Sequence, residues 1–284
     1  MMNKRPMRFR PGILIFLLGL VIFAYPAVSN YVYQRTADTV NNDFDEAVAQ
    51  IDDKKIQESL NLAYAYNVFL SETTGNITLE DPYTQEEKEA GLAEYARMLE
   101  VNEQMGHVLI PKINLDVPIY AGTSEVVLQK GIGHMEGTSL PVGGESTHAV
   151  ITGHRGLPTA ELFTELDELE IGDKFYIEYI GGTLAYEVDQ IKVVEPTDFS
   201  QITIEEGQDY LTLLTCTPYM VNSHRLLVRG HRIEYVEAIQ EKEIRENRIG
   251  GTYQELFYIA VAVLVVVLSL MGLKMYLSKK EKSS

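Results

Sequence analysis

The stretch LTLLTCTPYMVNSHRLLVRG, residues 211–230, contains two apolar runs separated by a more polar segment with a proline. This pattern predicts two strands joined by a hairpin. Cys216, the only cysteine in the 284 residues, ends the first run, and Arg225 begins the second. Such a hairpin would bring the Arg225 guanidinium back beside the thiol. What the thiol does then depends on its compartment and on the groups that the fold places around it.

The two ends of the chain predict the compartment. Apolar runs at 13–28 and 256–277 carry basic residues on their outer flanks. About 20 apolar residues cross a bilayer, so the second run is long enough and the first is borderline. The positive-inside bias then predicts cytoplasmic termini and an exported middle. A cleaved secretory signal is the alternative for the first run, because Ala27-Val28-Ser29 resembles a cleavage site.

A single cysteine in an exported domain cannot form an internal disulfide. Cys216 can therefore be a buried small hydrophobe, an intermolecular linker or a reactive thiol. The net charge of −17 argues against a nucleic-acid partner, which needs a basic face, and is typical of a solubilising surface. The histidines and the cysteine show none of the close spacings of a metal site. We expect neither a metal nor a cofactor.

From His107 onward the sequence is typical of a mainly β fold. Short runs rich in β-branched and aromatic residues are separated by Gly, Pro, Asn and Asp. About eight such strands predict a closed barrel or a sandwich, with room for one short helix at 159–166.

The residues before the barrel predict a helical appendage. Apolar residues recur at helical spacing between 31 and 70, and Thr84 and Glu87 form a capping box that opens another helix. The sequence therefore predicts that Asp81, Pro82 and Tyr83 lie on a loop between helices.

A reactive cysteine needs a neighbouring base or cation and a group that stabilises charge on the substrate carbonyl. His154 ends an apolar strand and precedes a glycine turn, a position that faces a cleft at the end of a barrel. His134 is the rival base. Each choice has an alternative, since His154 can cap a turn and Arg225 can be a solvated charge on an edge strand.

Three segments resemble the sortase family. TLLTCTPYMVNSHRLLVRGHR is similar to its Thr-Leu-x-Thr-Cys signature with the following arginine, ITGHRG to its catalytic-histidine segment, and GIGHMEGTSLPVGG to the loop upstream. The resemblance covers about 107–235. It implies a closed sortase-type β-barrel in which His154, Cys216 and Arg225 are catalytic, with further substrate contacts from Thr215.

Two features resemble the class C sortases, which polymerise pilins. One is the C-terminal apolar run, and the other is Asp81-Pro82-Tyr83, similar to the Asp-Pro-aromatic lid motif of that class. The motif usually has Trp or Phe in third place, so Tyr83 departs from it. The resemblance implies a lid that covers Cys216, with Asp81 paired to Arg225.

The resemblance also implies a reaction and partners. A cysteine transpeptidase would cleave LPxTG-like sorting signals of pilin subunits between Thr and Gly, hold the acyl group on Cys216 and transfer it to a lysine amine of another pilin. Its partners would be pilins and the cell membrane, with the catalytic domain extracellular. Three alternatives stay open: a sortase that anchors proteins to the cell-wall precursor, a non-catalytic membrane-tethered scaffold for pilus assembly, and a plain cysteine peptidase.

The predicted organisation follows from these assignments. Its parts are a cytoplasmic basic segment with an anchor or signal at 1–30, a helical region with the lid at 31–106, the catalytic barrel at 107–240, a linker at 241–255, a transmembrane helix at 256–277 and a cytoplasmic basic tail at 278–284.

Overall fold

The computed structural model describes residues 11–73 and 98–236. Three α-helices are α1 (Pro11–Val48), α2 (Asp53–Glu72) and α3 (Glu125–Lys130). The strands are β1 (Gly106–Ile110), β2 (Leu115–Ala121), β3 (Ile132–His134), β4 (Thr147–Thr152), β5 (Lys174–Tyr179), β6 (Gly182–Val194), β7 (Asp209–Thr217) and β8 (His224–Ile233). Short 3₁₀ helices occur at Pro111–Ile113 and Leu166–Glu168.

The strands form a closed barrel in the order β1-β2-β3-β4-β7-β8-β6-β5, and the pairing of β1 with β5 closes it. The predicted eight-stranded barrel with N-terminal helices is thus confirmed. The pairs β2–β3 and β4–β7 are parallel, and the others are antiparallel. Because β4 and β7 run in the same direction, their C-terminal ends meet at one end of the barrel.

Alternation along β7 places its side chains on two faces. Leu211 and Leu213 belong to the main core inside the barrel, whereas Leu214 belongs to a smaller apolar cluster with Val150 and Leu227. Successive side chains on a strand point to opposite faces. Cys216, two residues after Leu214, therefore shares the face of the smaller cluster, outside the barrel. The main core includes Val108, Ile119, Phe175, Ile177, Tyr186, Ala149, Ile151 and Val228.

Helix α2 is joined to the barrel by a paired amide contact. The Asn67 side chain, which is buried, donates to the Leu140 carbonyl at 3.0 Å and accepts from the Leu140 backbone N–H at 2.7 Å. One side chain thus satisfies both polar groups of a backbone position, as a strand neighbour would. This contact fixes α2 against the loop between β3 and β4.

Helix α1 is joined to the barrel through a buried histidine. His107 Nδ1 lies 2.7 Å from Asp116 on β2, and its Nε2 lies 3.4 Å from Asp45 on α1. Burial by itself would lower the pKa of His107, but the two hydrogen-bonded carboxylates outweigh it and raise that pKa to about 9. Asn41 of α1 also donates to Asp116, at 2.8 Å. The charged imidazole therefore bridges the helix and the barrel.

This bridge predicts a pH-dependent stability. The pKa of His107 is about 9 in the folded chain and about 6.5 in an unfolded one, so its contribution is fully present below pH ~6.5 and is lost as the pH rises through about 9. We expect the free energy of unfolding to fall by about 3 kcal/mol across that window. Denaturant unfolding at several pH values measures it.

Two variants isolate the contribution of His107. His107→Gln should remove most of this slope. His224→Gln, which alters a more exposed histidine beside the Glu195 carboxylate, should keep it. Equal slopes in the wild type and His107→Gln would contradict the assignment.

The prediction of a short helix at 159–166 is wrong. The β4–β5 connection consists of turns that end in the 3₁₀ helix Leu166–Glu168. Leu162 has a φ of 43°, and a left-handed residue interrupts a right-handed helix.

Among the described residues, no helix is both long enough and apolar enough to cross a membrane. The N-terminal anchor predicted within 1–30 therefore receives no support. Helix α1 is continuous from Pro11 and extends into a second half whose Phe44 is buried against the barrel. The apolar run 256–277 and the lid residues Asp81, Pro82 and Tyr83 lie outside the described residues.

Candidate active site

The β7–β8 hairpin places Arg225 directly opposite Cys216. The two residues are partners in the antiparallel register, and each is 6% exposed. Opposite residues in such a pair project to the same face of the sheet, with Cβ atoms about 4.5–5.5 Å apart. The guanidinium and the thiol therefore share the outer face of the barrel, as the predicted hairpin requires.

The Arg225 side chain is held by backbone carbonyls of its own loop. Its Nη1 donates to the Asn222 carbonyl at 3.1 Å and to the His224 carbonyl at 3.0 Å. Asn222 has a φ of 58°, a left-handed conformation that asparagine adopts more readily than most residues. These bonds restrict the guanidinium to an orientation near the strand end.

The parallel pairing of β4 with β7 brings His154 to Cys216. The register ends at Thr152 opposite Leu214. It is extended by the Gly153 N–H, which donates to the Leu214 carbonyl at 3.2 Å. Continuing that register sets His154 opposite Cys216, on the same face. The three residues predicted from the sequence thus occupy neighbouring positions, His154 just after the end of β4, Cys216 on β7 and Arg225 on β8.

Glycines allow the chain to take this course around His154. A Cβ at Gly153 would lie 2.4 Å from Ile132 Cδ1, so only glycine fits against β3 there. Gly156 has a φ of +79°, which glycine adopts without steric cost and which turns the chain away from the strand. The sequence Gly-His-Arg-Gly therefore turns the chain sharply after β4, at the end of the barrel where Cys216 lies.

A carboxylate lies beside the His154 ring. Glu125, the first residue of α3, has its Oε1 3.4 Å from His154 Nε2, and the His154 side chain is 20% exposed. Gln129, one turn further along α3, donates to the same oxygen at 2.8 Å. Sequence reasoning did not identify Glu125, because its contact with His154 depends on the path between β2 and β3.

His134, the rival base, is part of the barrel instead. It is fully buried, and burial lowers its pKa to about 4, against the opposing effect of a hydrogen bond to the Ser139 carbonyl. That bond, from Nε2, is 2.8 Å long, so the ring donates its proton within the loop. His134 therefore stabilises the β3–β4 loop.

Thr215 takes part in the alignment of the strands. Its hydroxyl is buried and donates to the Gly153 carbonyl at 2.7 Å. It projects to the face opposite Cys216, because the two residues are adjacent on one strand. A direct contact of Thr215 with substrate stays a prediction. In the described parts of the chain, no group of three or more His, Cys, Asp or Glu residues is arranged to hold a metal ion.

A buried thiol with a guanidinium on the neighbouring strand and an imidazole at the end of another suits a cysteine enzyme of acyl transfer. Residues 108–233 match the sortase domain family. The sortase D of Bacillus subtilis (strain 168) is 34% identical over 137 residues, which are 47% of this chain and 66% of that protein.

Solved structures are similar over a larger part of the chain. The structure described as sortase C1 of GBS Pilus Island 1 is 60% identical, with a TM-score of 0.65, and the match covers 71% of this chain and 94% of that one. The lid mutant of Streptococcus agalactiae sortase C1 is 59% identical, with a TM-score of 0.63, covering 70% and 99%. The chain belongs to the sortase family, and its structural neighbours support class C.

Proposed function

We propose that this protein is a class C sortase that joins pilin subunits through their sorting signals. The observation that carries the proposal is the placement of Cys216 between Arg225, its partner on β8, and His154, held opposite it by the β4–β7 pairing. Similarity to sortase C1 of a pilus island supports pilins as the substrates.

The chemistry is an exchange of acyl partners on Cys216. The thiolate attacks the threonine carbonyl of an LPxTG-like signal, and a carbon–sulfur bond forms. His154 donates a proton to the glycine nitrogen as the carbon–nitrogen bond breaks. A lysine amine of a second pilin then attacks the thioester and passes its proton to His154 as the thiolate leaves. A new amide bond thus replaces the peptide bond that was broken, so the exchange needs no separate energy source.

Arg225 stabilises the negative charge that develops on the substrate carbonyl oxygen. A guanidinium stays protonated at any working pH and presents donors in a fixed plane. A donor already held in place by the carbonyls of Asn222 and His224 needs little reorganisation when the oxyanion forms. It can also hydrogen-bond the backbone of the bound signal.

We place the reaction outside the cell, at the membrane surface. Pilins that carry sorting signals must leave the cell before they can be joined. The apolar run 256–277, with basic residues on its outer flank, is the feature of the sequence that supports a membrane location.

The test is an assembly reaction with the full-length protein in detergent. Two purified pilins, one with an LPxTG-like signal and one with candidate acceptor lysines, should give a ladder of covalent products that withstands denaturation. Released acid without a ladder would indicate a peptidase. Transfer to a cell-wall stem peptide in preference to pilin would indicate an anchoring sortase, and no reaction at all would favour the non-catalytic scaffold.

The lid residues Asp81, Pro82 and Tyr83 carry a separate prediction. We infer that Asp81 pairs with Arg225 and that the Tyr83 ring covers Cys216, in keeping with the solved lid mutant of a similar enzyme. One ion pair and one aromatic contact contribute together about 1–2 kcal/mol. Asp81→Ala/Tyr83→Ala should therefore speed alkylation of Cys216 by iodoacetamide roughly tenfold.

Alkylation in denaturant supplies the control for the lid. There the wild type and the double variant should react at the same rate, because no fold covers the thiol. Equal rates in the native proteins would remove the lid from the mechanism.

A further inference from the structure

The ends of β4 and β7 are joined beyond the point where their strand pairing stops. Gly153 lies opposite Thr215, which donates its hydroxyl to the Gly153 carbonyl at 2.7 Å. Two residues further along each segment, Arg155 Nη1 donates to the Thr217 hydroxyl oxygen at 3.1 Å. The positions of His154 and Cys216 fall between these two contacts. A side-chain hydrogen bond therefore brackets the proposed reacting pair on each side.

The Arg155 guanidinium connects three segments around the site. Its Nε donates to the Thr164 carbonyl at 3.1 Å, and its Nη2 lies 2.5 Å from Asp167 Oδ2, both in the β4–β5 connection. Its carbon Cζ lies 5.9 Å from the centre of the Tyr219 ring, in the β7–β8 connection. With Thr217 at the end of β7, three segments near Cys216 and His154 contribute a partner to Arg155.

Burial and geometry distinguish Arg155 from a surface charge. Its side chain is only 7% exposed, so an unpaired guanidinium there would be costly. Its nitrogen atoms donate to Thr164, Thr217 and Asp167 at the same time. The planar fork of arginine suits such a junction, whereas the single ammonium of lysine cannot reach Thr217, Thr164 and Asp167 together.

We propose that Arg155 is a positioning residue that sets the alignment of His154 with Cys216. The inference rests on the proposed function for the identity of the reacting pair. Thr217 projects to the face opposite Cys216, because neighbouring residues on β7 alternate, and the Arg155 guanidinium reaches its hydroxyl on that face. Arg155 therefore acts through the backbone. A displacement of about 1 Å between reacting groups can lower a rate about a hundredfold. The contact between Arg155 and Thr217 would prevent such a displacement of His154 from Cys216.

The sharpest test changes one hydroxyl. Thr217→Val removes the acceptor of the Arg155 bond and keeps the shape of the side chain, while Thr217→Ser keeps the hydroxyl. We expect Thr217→Val to lower kcat on a fluorogenic Leu-Pro-x-Thr-Gly peptide roughly tenfold with little change in KM. Thr217→Ser should stay close to the wild type.

A second measurement needs no substrate. The rate of Cys216 alkylation by iodoacetamide is followed against pH in the full-length protein, since an aligned imidazolium favours the reactive thiolate. Thr217→Val and Arg155→Ala should move the midpoint of this profile to higher pH and slow the reaction near neutral pH severalfold. Arg155→Lys should behave more like Arg155→Ala than like the wild type.

Arg232→Ala is the matched control. Arg232 packs on the ring of Tyr186, its partner on β6, and lies at the other end of β8 from the residue that faces Cys216. It should lower the melting temperature without moving the alkylation profile. If Thr217→Val and Arg155→Ala merely lower the melting temperature as well, with unchanged profiles, the positioning role is overturned. If the wild type turns over no peptide but Thr217→Val and Thr217→Ser still differ in their profiles, the proposed function fails while the positioning role stands.

Discussion

Replacement of Cys216 by alanine is expected to abolish both the thioacyl adduct and the pilin ladder. Alanine has no nucleophile, and removal of the nucleophile from enzymes that work by acyl transfer lowers kcat by roughly four orders of magnitude or more. Cys216 is the only cysteine, so no other thiol can replace it. Mass spectrometry of the enzyme incubated with an LPxTG-like peptide should show the acyl mass on the wild type alone.

Stability supplies the control for Cys216→Ala. The substitution removes a single sulfur atom from a small buried side chain, so it should lower the free energy of unfolding by only about 1 kcal/mol. A variant with a near-normal melting temperature and no adduct supports the nucleophile. A ladder that persists in Cys216→Ala would show that the cysteine is a packing residue and that another group performs the reaction.

Arg225→Ala is expected to lower kcat by roughly two to three orders of magnitude. Loss of one fixed donor to an oxyanion has an effect of that size in other enzymes. Arg225→Lys should recover only a small part, because an ammonium keeps the charge but not the planar donors held by the carbonyls of Asn222 and His224. Steady-state kinetics on a sorting-signal peptide measures both variants.

Arg229 is the matched control for Arg225. It lies on the same strand, and its guanidinium binds Asp189 through two hydrogen bonds of 2.9 and 3.0 Å. Arg229→Ala should lower the free energy of unfolding while leaving kcat within about twofold, because the ion pair between Arg229 and Asp189 does not include the thiol. Full activity in Arg225→Ala would exclude an oxyanion role, and full activity in Arg225→Lys would mean that charge alone is sufficient.

Local patterns were sufficient where the structure depends on nearby residues. The hairpin that pairs Cys216 with Arg225 was predicted because both strands and the turn lie within one short stretch. The mainly β character follows from the short runs rich in β-branched and aromatic residues, which leave a barrel or a sandwich open. The resemblance to the sortases implies the closed barrel, which the structure confirms.

Contacts between distant residues were the part that sequence reasoning missed. Arg155 stands directly after His154, yet its partner Thr217 is 62 residues away, and Glu125 reaches His154 from a separate helix. The glycine-rich sequence around His134 also gave no sign that its side chain is fully buried and hydrogen-bonded to the Ser139 carbonyl.

By itself, the sequence determined the strands, the hairpin that sets the Arg225 guanidinium beside the single thiol of Cys216, and the family. Only the tertiary structure decided that β4 lies parallel to β7, which sets His154 opposite Cys216 and Arg155 against Thr217. The physical reason is that a parallel pair needs a long crossover, so its register depends on the packing of the whole barrel and not on any turn between the two strands.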